Sequence, residues 1–214
     1  MRAQVSVAAL ALVLVCLTAE RAAAQEERPR IGPFVIDVRG SFPFFPNDQQ
    51  LADSRGLTLE ELPARGIGLD FGAHLYFFRW NIVTFGVGGQ LTLARASSSP
   101  QPALELRGAT ERLVTGGPQI SFNFGTGDGW SYISGGIGAS QWSLIPDGQE
   151  AGPGDVEKLY TINYGGGARW FARPHLAFTF DVRFHAIDPG TPAGGFPGSP
   201  RTTLLVLSAG FSVK

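Results

Sequence analysis

Thiols are almost absent from this sequence. Its one cysteine, Cys16, lies inside an apolar stretch at residues 5–17. A chain freed of that stretch has no disulfide, no thiol nucleophile and no thiolate-ligated metal. Charge is scarce too: Asp, Glu, Lys and Arg make up 16% of the 214 residues, where soluble domains carry roughly 25%. The formal net charge of −1 lacks the basic footprint of a nucleic-acid binder. Beyond residue 17 no run approaches the ~18 consecutive apolar residues of a membrane-spanning helix. An integral membrane form of this chain must therefore cross with strands.

The first segment reads as an export signal: Arg2 supplies the positive start, residues 5–17 the apolar core, and Ala22-Ala23-Ala24 the small-residue peptidase site. Val15 stands where a lipoprotein acceptor site carries a small residue, so Cys16 is read as apolar filler. The expected organisation is a cleaved signal over 1–24, a periplasmic segment over 25–33, and one domain over 34–214.

What the chain has in abundance is glycine and aromatic rings: 29 Gly, 16 Phe, 4 Trp and 4 Tyr. From Phe34 the apolar period is two. Phe34, Ile36, Val38, Gly40 and Phe42 alternate with Val35, Asp37, Arg39 and Ser41, and residues 67–77 and 82–94 repeat the pattern. Further strands are expected near 112–124, 130–142, 160–170, 176–185 and 202–213. Within 130–142, Ile133 and Ile137 compete with Trp130, Tyr132 and Trp142 for the outer face, and the pattern does not orient that strand.

The links alternate in length. Short turns fall at 79–81, 125–129 and 172–174, and long polar segments at 45–65, 95–111, 143–158 and 187–201. The fold class read from this is all-β: an eight-stranded antiparallel up-and-down transmembrane β-barrel with short periplasmic turns and long extracellular loops. Aromatic residues gather at both ends of the runs. Phe77, Trp80, Trp130 and Trp170 lie beside the short turns, and Phe42, Phe44 and Trp142 lie at the opposite ends, so these seven are the expected interfacial girdle. A soluble barrel also alternates, but here one face repeats Phe, Leu and Ile while the other repeats Gly, Ser, Thr and Asn. An eight-stranded interior is narrow, which puts the bulky rows outside, against lipid.

The stretch Asn163-Tyr164-Gly165-Gly166-Gly167-Ala168-Arg169-Trp170-Phe171, continuing into Arg173-Pro174-His175-Leu176 and Phe180-Asp181-Val182-Arg183-Phe184, resembles the penultimate hairpin of small outer-membrane barrels of the outer membrane protein A and opacity-protein type. That resemblance implies a location in the cell outer membrane, contact with its lipid and lipopolysaccharide, and passage through the barrel-assembly machinery. Members typically end in an aromatic residue, and this chain departs from that with Phe211-Ser212-Val213-Lys214.

The lumen-facing charges are Asp37, Arg39, Asp70, His74, Arg169, Asp181, Arg183 and His185, and their signs nearly balance. Buried ions need partners, so the expected arrangement is a polar network filling the lumen, with Arg39 near Asp70 across the first long loop. The matching function is a structural or surface-interaction barrel, monomeric and without enzymatic activity, cofactor or metal. Two alternatives stay open. Lumen faces rich in glycine (Gly68, Gly72, Gly86, Gly88, Gly165, Gly167) leave room for a narrow solute conduit, and a Ser on a neighbouring strand could turn His74 or His185 into a lipid-modifying site. Thr58-Leu59-Glu60-Glu61 matches a capping box for a short helix in the first loop.

Overall fold

In the computed structural model, which describes residues 30–214, the alternating runs become eight strands. These are β1 (Phe34–Phe44), β2 (Gly66–Trp80), β3 (Val83–Ser98), β4 (Ala109–Thr126), β5 (Gly129–Pro146), β6 (Leu159–Arg173), β7 (Leu176–Ile187) and β8 (Thr202–Val213). The expected signal over 1–24 lies outside the described residues. Each strand pairs antiparallel with the next, and β1 closes on β8 through Ile36–Val213 to Phe44–Leu205, so no sheet edge is left unpaired.

Pairing runs further than the alternation predicts on β4 and β5, which reach 18 residues each. A tilted strand crosses the hydrocarbon in about 9–11 residues. The excess lies at the long-loop end, and the second loop is correspondingly shortened to residues 99–108. Gly116-Gly117-Pro118 does not break β4; Pro118 faces outward opposite Gly89 of β3.

This extension reverses the inside–outside rule within one molecule. Along most of the wall the exposed residues are apolar, such as Ile36, Leu69, Leu75, Ile120 and Phe178. At the long-loop end the outward positions turn polar (Arg95, Ser97, Thr110, Arg112), and the inward ones become a buried apolar cluster of Leu113, Leu144, Ile187, Leu204 and Val206. Water surrounds the barrel at that level, so burial of apolar area again drives inward packing. The first loop completes this core. It forms helix α1 (Gln49–Asp53), capped by the Asp48 carboxylate, and a 3-10 turn at Leu59–Glu61, and it seats Phe45, Leu51, Leu57 and Leu62 in the cluster.

The fifth strand resolves with its even positions inward. Trp130 and Trp142 therefore do not belong to the girdle: each is only 3% exposed, while Trp80 and Trp170 are 70% and 59% exposed. Parity turns both inward, and for Trp142 a hydrogen bond adds to it. The Trp142 indole N–H donates to the Glu111 carboxylate at 2.7 Å, a partner that lipid would not offer. Phe42, Phe44 and Phe77 face outward with Trp80 and Trp170.

Candidate functional site

The lumen is the place where the charged residues meet, and strand register decides which of them meet. Arg39 of β1 lies opposite Asp70 of β2. Its Nε and Nη2 both donate to Asp70 Oδ1, at 2.8 and 2.5 Å, which leaves Oδ2 for other donors. From Asp70 the contacts run round the barrel wall. Gln90 of β3 donates to Asp70 Oδ2, Gln119 of β4 donates to both Gln90 Oε1 (2.8 Å) and Asn163 Oδ1 (2.7 Å), and Arg183 of β7 donates to Asn163 Oδ1 at 3.2 Å. Arg183 also holds Asp181 at 3.1 and 3.0 Å. Tyr132 of β5 donates to Asp181 at 2.6 Å and accepts from Arg39 at 3.0 Å, which closes the circuit.

Below this ring sits a second pair. Arg169 grips both oxygens of Asp37 at 2.9 and 2.5 Å, and Ser212 of β8 donates to Asp37 at 2.5 Å. Three arginines thus face three aspartates, all almost fully buried, and all eight strands contribute a side chain. With formal charge cancelled and most donors matched, the desolvation cost of burying six ions is offset inside the lumen.

Six of the eight sequence-selected charges join this network. His74 and His185 do not: both are buried, and their ring nitrogens have no hydrogen-bond partner among the described residues. The residues that sequence reasoning missed are Tyr132, Gln90, Gln119, Asn163 and Ser212, together with Thr92, which donates to Asp70 Oδ2 at 2.7 Å, and Ser134, which accepts from Arg183 at 2.8 Å. Glycine placement was the available signal for Tyr132. A Cβ on Gly167, its register partner, would lie 2.7 Å from the Tyr132 hydroxyl and collide with the Phe180 carbonyl. Gly88 likewise makes room for the His74 ring, and Gly72 for the Asp37 carboxylate. These lumen glycines are seats for large side chains.

Both mouths are also filled. At the short-turn end Trp130 stacks on Phe171 with centroids 5.1 Å apart, Tyr76 meets Trp130 edge-on at 5.9 Å, and the Lys214 ammonium lies 3.9 Å over the Phe171 ring. At the other end the four loops are tied to one another. Glu61, buried in the first loop, accepts from Thr58 N at 2.8 Å and from Arg107 N of the second loop at 2.7 Å. Burial alone would raise its carboxyl, but these amides and the Arg107 guanidinium hold it down at about 2. Arg55 reaches Asp155 of the third loop at 3.1 Å and Ser199 of the fourth at 3.2 Å, and Glu157 accepts from Thr191 at 2.9 and 2.7 Å. A cleft of about 230 Å³ remains between the first, third and fourth loops, lined by Arg55, Gln149, Asp155, Thr191 and Phe196. Among the described residues no group of three or more His, Cys, Asp or Glu is placed to hold a metal.

A closed up-and-down cylinder of eight antiparallel strands, greasy outside, polar and filled inside, is a transmembrane barrel of the outer-membrane type. The comparison with known proteins points to the same class. No family model and no curated protein matches the chain. Among solved structures it is similar to Neisserial surface protein A (NspA), at 14% identity over 86% of this chain and 97% of that one, with a TM-score of 0.53. Two further similar structures are the outer membrane enzyme PagL (13% identity, 84% and 98% covered, TM-score 0.42) and Ail, the attachment invasion locus protein of Yersinia pestis (15%, 84% and 95%, 0.42). At these identities the likeness is one of fold.

Proposed function

We propose that this chain is a monomeric, non-conducting barrel of the cell outer membrane, with a structural and surface-interaction role and no enzymatic activity. The observation that carries this reading is the hydrogen-bonded circuit Arg39–Asp70–Gln90–Gln119–Asn163–Arg183–Asp181–Tyr132, which spans the lumen from wall to wall. An ion or solute crossing that level has to separate buried, paired charges, at about 3–5 kcal/mol for each pair broken. The surface half of the reading is supported by the four loops, whose mutual ties make a preformed platform that carries an open cleft. The absence of catalysis is supported by His74 and His185, neither of which has a serine hydroxyl on its ring nitrogens among the described residues.

Purified folded protein in planar bilayers tests the closed lumen. Baseline current at moderate voltage is the expected result, and reproducible open-channel steps would replace this reading with a conduit. Mass spectrometry of lipid A from cells with and without the protein tests the other part; a missing or shifted acyl chain would make the protein an enzyme.

A further inference from the structure

We propose that Arg95 and Arg112, on the outer wall of the barrel, bind the phosphate of a phosphorylated outer-leaflet lipid. The proposal rests on the outer-membrane reading above. The two residues are direct cross-strand partners in the β3–β4 register. Both are exposed on the outward row, one step above Leu93 and Val114, the last apolar outward positions of their own strands, with the exposed Ile67 of β2 opposite Arg95. Two residues along a strand cover about 6.6 Å, so the guanidinium pair stands at headgroup height above the acyl region.

Like charges directly opposite one another on a sheet repel, and no carboxylate among the described residues lies within salt-bridge distance of this pair. Arg95 reaches only the Thr110 hydroxyl, at 3.5 Å, and Arg112 has no ion pair or hydrogen bond among the described residues. Arg65, also exposed, adds a third positive charge immediately before the adjoining strand β2. Arg79 and Arg173, exposed at the short-turn end, likewise have no carboxylate within salt-bridge distance among the described residues, but neither faces another arginine across a strand pair. Arg39, Arg55, Arg107, Arg169, Arg183 and Arg201 each have a carboxylate within salt-bridge distance.

Beside Arg112 the wall also carries a niche of about 230 Å³, floored by Val114, Ile145 and Val156 and edged by Gln141. Asp155 borders it, but its Oδ1 accepts from Arg55 and from Leu144 N, and its Oδ2 from Gly152 N, so that carboxylate is already engaged. Two forked donors with no carboxylate partner among the described residues, next to an apolar floor at the membrane surface, suit an anionic phosphate that continues into an acyl chain. A solvated ion would use the arginines and leave the niche empty.

The test uses the full-length folded protein in detergent micelles and native mass spectrometry, with bis-phosphorylated lipid A, dephosphorylated lipid A and inorganic pyrophosphate as probes. Wild type is expected to retain the phosphorylated lipid about tenfold or more over the dephosphorylated one, and R95Q/R112Q to lose that preference, since each charged hydrogen bond removed is worth about an order of magnitude in affinity. R112Q alone is expected to lie between the two, and R201Q, which removes an exposed charge elsewhere, to match wild type. Equal retention by wild type and R95Q/R112Q, or no preference for the phosphorylated lipid, overturns the site. Displacement of the lipid by equimolar pyrophosphate would make it a free-anion site and overturn the lipid assignment. Heat-modifiable migration of each variant checks its fold. Bilayer conductance, which these wall residues do not touch, reports separately on the closed-lumen reading.

Discussion

The Arg169 guanidinium lies 4.2 Å over the Tyr132 ring while its N–H groups grip both oxygens of Asp37. The same guanidinium lies 5.8 Å from the Trp130 ring centroid, so one side chain joins the aromatic layer at the short-turn mouth to the ionic layer above it. Removing its partner strands a buried cation, so D37A is expected to lower stability by about 3–5 kcal/mol. Replacing both ions with apolar residues in D37L/R169M is expected to cost less than the sum of the two single changes. Urea titrations followed by the gel shift between folded and unfolded barrel measure both, and additive losses would show that the pair is not coupled.

Lumen and lipid-side glycines are expected to respond differently to the same change. At Gly167 an added methyl meets the Tyr132 hydroxyl and the Phe180 carbonyl, so G167A is expected to destabilise by about 1–3 kcal/mol through overpacking. At Gly40 the nearest atom to an added Cβ is the Ala209 carbonyl at 3.8 Å, an ordinary contact. G40A should fold and titrate like wild type; equal damage at the two positions would contradict the assignment of their faces.

The four tryptophans divide by face. Trp80 and Trp170 are exposed on the outer wall, and Trp130 and Trp142 are interior. With single-tryptophan variants in bilayers containing brominated lipids, fluorescence from Trp80 and Trp170 is expected to be strongly quenched and that from Trp130 and Trp142 nearly unaffected. Quenching of Trp142 by bromine would return it to the girdle.

Loop docking is expected to depend on acid through Glu61. Its carboxyl lies at about 2 in the folded chain against an ordinary value of 4.5. A lowered pKa contributes stability that is complete above the ordinary value and is lost as pH falls from about 4.5 towards 2. Hydrogen-exchange protection of residues 45–65, taken relative to the intrinsic exchange rate at each pH, should therefore fall across that window in wild type. In E61Q protection should already be lower at neutral pH and should change little over the same range.

How much of this was legible beforehand varies with the range of the interaction. Alternation in 34–42 and 67–77 identified faces directly, because a strand's side-chain period is a property of neighbouring residues. It failed over 129–146, where both rows carry bulky apolar groups and only the Glu111 acceptor and the Gly167 gap, on other strands, decide that Trp142 and Tyr132 point inward. Arg39 beside Asp70 could be read from hairpin register. Tyr132 bridging to Arg39 could not, because that contact joins residues 93 positions apart across the closed lumen.

By itself the sequence determined strand number, strand order and the side that meets lipid, since these follow from local period, link length and the requirement that backbone groups in hydrocarbon pair with one another. Only the tertiary structure decided what fills the interior. Closing β1 onto β8 brings inward rows from opposite walls within hydrogen-bonding distance, and whether they leave a passage or a packed network depends on side-chain volumes meeting across a space that no single strand encodes.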